Sequence, residues 1–169
     1  MLIRRLVLPV LAAVVVVDGC NCDEVVGKQQ PDAVLVFNDQ NSPPLDNLDV
    51  GLGAGALGAP LTARFTIENR GNIPLNVSDV VLAAHPQLCP TPSGGFAIVA
   101  PASEAGAPRS FAIARGESQE VQVSFTPTSG QPACTVVEVR SDDSDSPVLF
   151  ARLSGQGDAP QLCADKGVV

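Results

Sequence analysis

The chain has 169 residues and a formal charge of −8, from ten Lys and Arg against 18 Asp and Glu. An acidic chain lacks the basic footprint that binds polyphosphate, which argues against nucleic acid as a partner. Fifteen Pro and 15 Gly, with no Trp or Tyr, punctuate the sequence closely, and no long helical pattern is present. The composition therefore favours short strands joined by turns.

The first 20 residues have the pattern of an export signal. Arg4 and Arg5 precede an apolar run of 12 residues, 6–17, which is too short to cross a hydrocarbon core of about 30 Å as a helix. Gly19-Cys20 follows this run and resembles the lipobox of bacterial lipoproteins, although Asp18 departs from the usual pattern. The resemblance implies a signal peptide over 1–19, removed on export, and a lipidated Cys20. The alternative is an ordinary secretory signal followed by a structural Cys20.

A lipid on Cys20 implies a chain anchored in the cell envelope through acyl chains. In the lipoprotein family an aspartate after the lipidated cysteine favours retention in the inner membrane. Asn21 at this position therefore implies the outer membrane. Residues 20–30 are polar and aperiodic, so we expect a tether with an r.m.s. span of about 17 Å.

Residues 31–157 are expected to form a single domain, and residues 158–169 a C-terminal tail. Within the domain, residues 39–60 are rich in Gly, Pro and Asx, which predicts irregular backbone with at most a short strand over 48–52. The glycine spacing in this stretch does not match a nucleotide-binding loop.

Apolar and polar residues alternate clearly from residue 61. Ala63, Phe65 and Ile67 share one face of a predicted strand. The tetrapeptide 69–72 predicts a tight turn that pairs this strand antiparallel with one beginning at Leu75. Further strands are predicted over 96–98, 111–113, 121–125, 135–139 and 148–153. Seven or eight antiparallel strands with one apolar face each predict an all-β immunoglobulin-like β-sandwich.

Residues 60–157 also resemble the ASH/Hydin-like domains and their bacterial choice-of-anchor D relatives. The resemblance depends on three ordered motifs: Asn69, Gly71 and Leu75; then Val123, Phe125, Pro127 and Gly130; then Ser141, Asp142, Asp143, Pro147, Leu153, Gly155 and Gly157. It implies a seven-stranded immunoglobulin-like sandwich with a binding or architectural role and no catalytic site.

If Cys20 is lipidated, four of the five cysteines remain for disulfides, namely Cys22, Cys89, Cys134 and Cys163. Four cysteines allow three connectivities. The preferred pairing is Cys89 with Cys134 and Cys22 with Cys163, which suits an oxidising compartment. No cysteine or histidine spacing typical of zinc is present, and we expect no metal or other cofactor.

Two further features each have a functional and a plain interpretation. Asp142, Asp143 and Asp145 are a weak candidate for a Ca²⁺ site, but Asp and Ser in this spacing also form a hairpin turn. His85, the one histidine, is interpreted as a solvated loop residue rather than a catalytic base.

The sequence thus predicts a membrane-anchored, non-catalytic module that binds an envelope protein or contributes to envelope architecture. The alternative is a small periplasmic hydrolase or ligand-binding protein with its site in loops 39–60 and 83–109. A cleft with converging polar groups would favour this alternative.

Overall fold

A computed structural model of the chain describes residues 29–37 and 47–158. The expected signal peptide, Cys20, Cys22 and Cys163 lie outside the described residues. In the described part, the strands are β1 (Ala33–Val36), β2 (Asn47–Ala56), β3 (Leu61–Asn69), β4 (Leu75–Ala83), β5 (Phe96–Ala100), β6 (Phe111–Ile113), β7 (Ser118–Phe125), β8 (Pro132–Ser141) and β9 (Val148–Asp158).

The strands form two sheets, a four-stranded sheet in the order β1-β3-β7-β5 and a five-stranded sheet in the order β2-β9-β8-β4-β6. The predicted all-β immunoglobulin-like sandwich is confirmed. The strand count of seven or eight is exceeded in the described residues, and the expectation of purely antiparallel pairing is wrong, because β2 pairs parallel with β9.

The core lies between the two sheets and follows the period of two that the sequence shows. Phe65 and Ile67 of β3 and Val121 and Val123 of β7 are almost completely buried. The side chains between them lie on the outer face of the four-stranded sheet. Alternation therefore identified the inner face of both strands correctly.

The prediction of irregular backbone over 39–60 is wrong for its second half. β2 occupies ten residues, 47–56, far more than the short strand expected at 48–52. Parallel pairing to β9 supplies the hydrogen bonds, and a register shift between Gly51 and Ala54 accommodates Gly53 at φ +80°. Glycines lower strand propensity only modestly, so this long-range pairing prevails.

The predicted hairpin at 69–72 is also wrong, since β3 and β4 belong to different sheets. The segment instead crosses between the sheets, and Asn69, only 1% exposed, fixes it. Its Nδ2 donates to the Ile73 and Ile113 carbonyls at 2.8 and 3.1 Å, while its Oδ1 accepts from the Gly71 N–H at 3.0 Å. A short connection thus links two layers rather than two neighbours.

The register of the strands defines two ends of the sandwich. The N-terminal pole contains the segments 30–32, 69–74, 114–117 and 142–147. The opposite pole contains the segments 57–60, 93–95 and 126–131. The chain enters the domain at the N-terminal pole, and β9 leaves it at the opposite pole, because Asp145 contacts Gln30 whereas Asp158 pairs with Ala56.

Charge is distributed unequally between the two poles. The segments of the N-terminal pole carry two arginines and the five acidic residues Asp32, Glu117, Asp142, Asp143 and Asp145. The three segments of the opposite pole contain no charged residue. No described segment forms a helix with the length and apolar character needed to span a membrane.

Candidate functional site

A disulfide locks one loop onto the outer face of the five-stranded sheet. Cys89 and Cys134 are bonded, 45 residues apart in sequence, with their Cα atoms 5.9 Å apart. The pairing preferred from the sequence is therefore present. The Ser93 N–H donates to the Cys134 carbonyl at 2.8 Å, and Arg152 Nε donates to the Leu88 carbonyl at 2.8 Å. The loop 84–95 is thus fixed at three points.

Beneath this loop lies a small apolar layer outside the main core. Val137 faces the main core, so its neighbour Val136 faces the outer side of the sheet, yet Val136 is completely buried. Cys89, in the loop above, is only 1% exposed. The ring of His85 packs edge-on against Phe150 with the centroids 4.6 Å apart. His85 is a loop residue as predicted, but it is partly buried against Phe150 rather than solvated.

The three carboxylates considered for Ca²⁺ point to different partners. Asp142 accepts from the backbone N–H and Nδ2 of Asn76 at 2.8 and 2.6 Å. Asp143, 2% exposed, accepts from the backbone N–H groups of Ala33 and Asp145 at 3.1 and 2.9 Å. These bonds tie the β8–β9 turn to β1 and β4.

Asp145 completes this arrangement, since its Oδ2 accepts from Gln30 Nε2. Among the residues the structure describes, no group of three or more His, Cys, Asp or Glu side chains is arranged to hold a metal ion. The arrangement matches the interpretation of the cluster as a structural turn. The acidic side chains here order the backbone at the N-terminal pole.

The two segments proposed for a hydrolase or ligand site meet in one surface depression. It has a volume of about 500 Å³ and is lined by Gly51, Gly53, Thr91, Arg152 and Ser154, among others. The guanidinium of Arg152 is already engaged, with Asp49 at 3.3 Å and with the loop carbonyl described above. Among the described residues, the depression is lined chiefly by glycines and small side chains, and no nucleophile and base of this set converge there.

One side of the sandwich presents an incompletely paired margin, which we call the lateral edge and define as β5 together with Val81–Ala83 of β4. β5 is the last strand of the four-stranded sheet. β6 pairs with β4 only over Leu75–Val77, so the rest of β4 extends beyond it. Leu82 and Val99, 40% and 46% exposed, are two of the three most exposed large apolar side chains described.

Arg109 closes the end of the lateral edge that lies nearer the N-terminal pole. Its backbone N–H donates to Asp79 Oδ1 at 3.0 Å, and its Nε donates to the Pro101 carbonyl at 3.2 Å. A longer contact of 3.5 Å joins Nη1 to the Val80 carbonyl. The side chain thus links the end of β5 to β4. It leaves open the part of the lateral edge that lies nearer the opposite pole.

The sequence revealed the strand at 96–98 but not its position at an edge. Position in a sheet depends on which distant strands pair, and local alternation carries no such information. The stretch 95–100 contains no charge and no proline, whereas natural edge strands are commonly protected by one or the other, so its composition did not identify it as an edge.

No protein-family model matches this sequence, and no curated protein matches it. Among solved structures, the ASH/PapD-like domain 7 of human CEP192 is similar over 95% of this chain and 99% of that one, with a TM-score of 0.52 and 13% identity. A protein of unknown function from Porphyromonas gingivalis W83 is similar over 76% of this chain and 47% of that one, with a TM-score of 0.51 and 16% identity.

This chain therefore spans about half of the Porphyromonas gingivalis protein. At these identities the likeness concerns the fold. That fold is an immunoglobulin-like β-sandwich similar to the ASH/PapD-like domain.

Proposed function

We propose that the chain is a lipid-anchored, non-catalytic immunoglobulin-like module of the cell envelope that binds a protein partner. Acyl chains on Cys20 would hold it in the outer membrane, and residues 21–29 would connect the lipid to the domain. The binding partner would be a protein of the same compartment, and no cofactor would be required.

The fixed position of the N-terminal segment is the observation that carries this proposal. The backbone N–H of Gln30 donates to Asn72 Oδ1 at 2.9 Å, and the backbone N–H of Asn72 donates to the Gln30 carbonyl at 3.2 Å. The Arg70 N–H donates to the Asp32 carbonyl at 2.8 Å. A tether held in this way leaves from one pole and keeps the lateral edge and the opposite pole accessible.

The distribution of charge affects how closely the tethered pole approaches the membrane. The acidic N-terminal pole is repelled by anionic headgroups within about 10 Å, the Debye length at moderate ionic strength. This repulsion keeps the tethered pole off the membrane surface, within the reach of the tether. The disulfide between Cys89 and Cys134 suits an exported protein, since such bonds persist in oxidising compartments.

Replacement of Cys20 by serine tests the anchor. We expect Cys20→Ser to release the chain from membranes into the soluble fraction and to abolish labelling by radioactive palmitate. Cys22→Ser, two residues away, is the matched control and should remain in the membrane and labelled. Retention of Cys20→Ser in the membrane would contradict the anchor.

The binding role requires a second experiment. The lipidated chain is cross-linked in intact envelopes, purified and examined by mass spectrometry. We expect one protein to be recovered in near-stoichiometric amounts from the wild type. Recovery of no protein above the level seen with an unrelated lipoprotein would contradict a role in protein binding, whatever the outcome for the anchor.

A further inference from the structure

Among the residues that the structure describes, some backbone groups of β5 point away from the sandwich without a partner in the sheet. The Thr126 N–H donates to the Gly95 carbonyl at 2.8 Å, and Ala97 pairs with Ser124 two residues along. In an antiparallel ladder, hydrogen-bonded pairs alternate with pairs whose N–H and C=O groups face outward. The N–H and C=O groups of Phe96 and Ile98 therefore face the open side.

Over residues 96–98 this edge lacks the features that usually prevent strand addition. Natural edge strands are commonly protected by charges, prolines or strong bulges, whereas this stretch has no charge and no proline and pairs regularly with β7. The register shift of β5 follows this stretch, between Ile98 and Ala100. β2, an edge of the other sheet, shows such protection, with Asp49 and the register shift beside Gly53. β6, the other edge of that sheet, has only three residues.

We infer that β5 is the docking edge for an extended segment of a protein partner, which adds a fifth strand to the four-stranded sheet. This inference rests on the proposed binding function and specifies its site. A row of unpaired N–H and C=O groups matches the regular spacing of a polypeptide backbone, about 4.8 Å from the strand it joins. The occupant is accordingly a polypeptide in extended conformation.

The side chains beside the edge define the chemistry of that segment. Leu82 lies on the inner face of the facing sheet, since it pairs with the core residue Val137, and its exposed part borders the open side. Val99 lies at the register shift of β5, towards the outer face of its sheet. Apolar or β-branched side chains on the inner face of the added strand would contact Leu82, and those on its outer face would contact Val99. The formal charge of −8 further disfavours an acidic segment.

A second copy of the chain is a poorer occupant of this edge. Pairing β5 with β5 of another molecule is antiparallel, so the two N-terminal poles would lie at opposite ends of the assembly. β9 alone has 11 residues, about 36 Å of extended strand, whereas the tether has an r.m.s. span of about 17 Å. The tether of the second copy would therefore be too short to reach the same membrane. Two acidic chains also repel each other, which a neutral partner strand does not experience.

Selection of short random peptides displayed on phage against the full lipidated chain in detergent micelles provides the probe. We expect the selected peptides to share an uncharged, β-branched stretch of about five residues. Val99→Lys should weaken binding of a selected peptide at least about tenfold, because it places a charge at the edge without removing buried surface. Leu57→Lys is the matched control, since Leu57 is 43% exposed and lies at the opposite pole. It should change binding less than about twofold.

Hydrogen–deuterium exchange resolved by residue locates the bound peptide. Binding should slow exchange at the amides of Phe96 and Ile98 and leave that of Ala97, already bonded to β7, nearly unchanged. Protection confined to other strands, or equal loss of binding in Val99→Lys and Leu57→Lys, would overturn the inference. Concentration-dependent protection of Phe96 without peptide would also overturn it, because the occupant would then be a second copy.

The envelope cross-linking described above separates this inference from the proposed function. If Val99→Lys loses the partner while Leu57→Lys keeps it, β5 is the site in the native envelope. If both variants keep the partner, binding occurs elsewhere, so the function stands and the assignment of the edge fails.

Discussion

The ring of Phe125 lies against Gly155 across the interior of the sandwich, and a Cβ built on Gly155 would be 2.5 Å from Phe125 Cδ1. The same ring stacks on Phe96 with the centroids 4.4 Å apart. Phe125 thus joins three strands, because it lies in β7, contacts β9 across the core and supports the edge strand β5. A side chain in that position influences both the stability of the fold and the position of the lateral edge.

Removing this ring should be far more harmful than removing the neighbouring hydroxyl. Phe125 is 2% exposed, so Phe125→Ala should lower the free energy of unfolding by about 3 to 5 kcal/mol through lost burial and a new cavity. Ser124 points to the outer face, so Ser124→Ala should change the free energy of unfolding by about half a kcal/mol or less. Urea unfolding of the two variants checks this, and comparable losses would mean that the side chains do not alternate as described.

A methyl group at Gly155 should destabilise the fold by steric conflict. Gly155→Ala forces the Phe125 ring to move, an overpacking that costs about 1 to 3 kcal/mol. Gly51→Ala is the matched control, because no atom lies within 4 Å of its Cβ position. The smaller side chain of Phe125→Leu should reduce the penalty of Gly155→Ala in a double-mutant cycle. Independent, additive losses would show that the two residues are not in contact.

The sequence predicted this fold to the extent that local pattern determines it. Alternation placed Val121, Val123 and Phe125 in the core, and the bridge from Cys89 to Cys134 belonged to the preferred one of three possible connectivities. The prediction failed at β2 and at 69–72, where pairing is decided by strands more than 40 residues away or in the other sheet. The lateral edge depends on the same long-range order, so it could not be predicted from Phe96 to Ala100 alone.

Removing the disulfide should destabilise the whole fold and free the loop 84–95. A loop closed between Cys89 and Cys134 restricts the unfolded chain, which predicts a loss of about 4 kcal/mol in Cys89→Ala/Cys134→Ala. Amide exchange should increase first in the loop 84–95, where His85 packs against Phe150. Unfolding in urea and exchange by mass spectrometry measure the two effects. A loop that stayed protected in the double variant would show that the hydrogen bonds of Arg152 and of the Ser93 N–H suffice to hold it.

The number of free thiols in the mature protein tests the pairing of the remaining cysteines independently of the fold. If Cys20 is lipidated and Cys22 pairs with Cys163, mature protein isolated without reductant should show no more than one free thiol. Gln30 lies at the N-terminal pole and Asp158 at the opposite pole, so a bridge between Cys22 and Cys163 would have to span the distance between the two poles. Thiol titration and non-reducing peptide mapping decide the connectivity. Two or more free thiols in the native protein would contradict the second bridge.

Asp143 should be a structural residue rather than a calcium ligand. Asp143→Ala leaves the buried N–H of Ala33 and the partly buried N–H of Asp145 without their acceptor, which should cost about 1 to 3 kcal/mol in the free energy of unfolding. Asp143→Asn retains one acceptor oxygen and should lose less, while Asp158→Ala, exposed at the end of β9, should lose about half a kcal/mol or less. Because the acceptors of this turn are already occupied by N–H donors, millimolar Ca²⁺ should leave the melting temperature of the wild type unchanged. A clear rise in melting temperature with Ca²⁺ that is abolished in Asp143→Asn would reverse this assignment and make the β8–β9 turn a cation site.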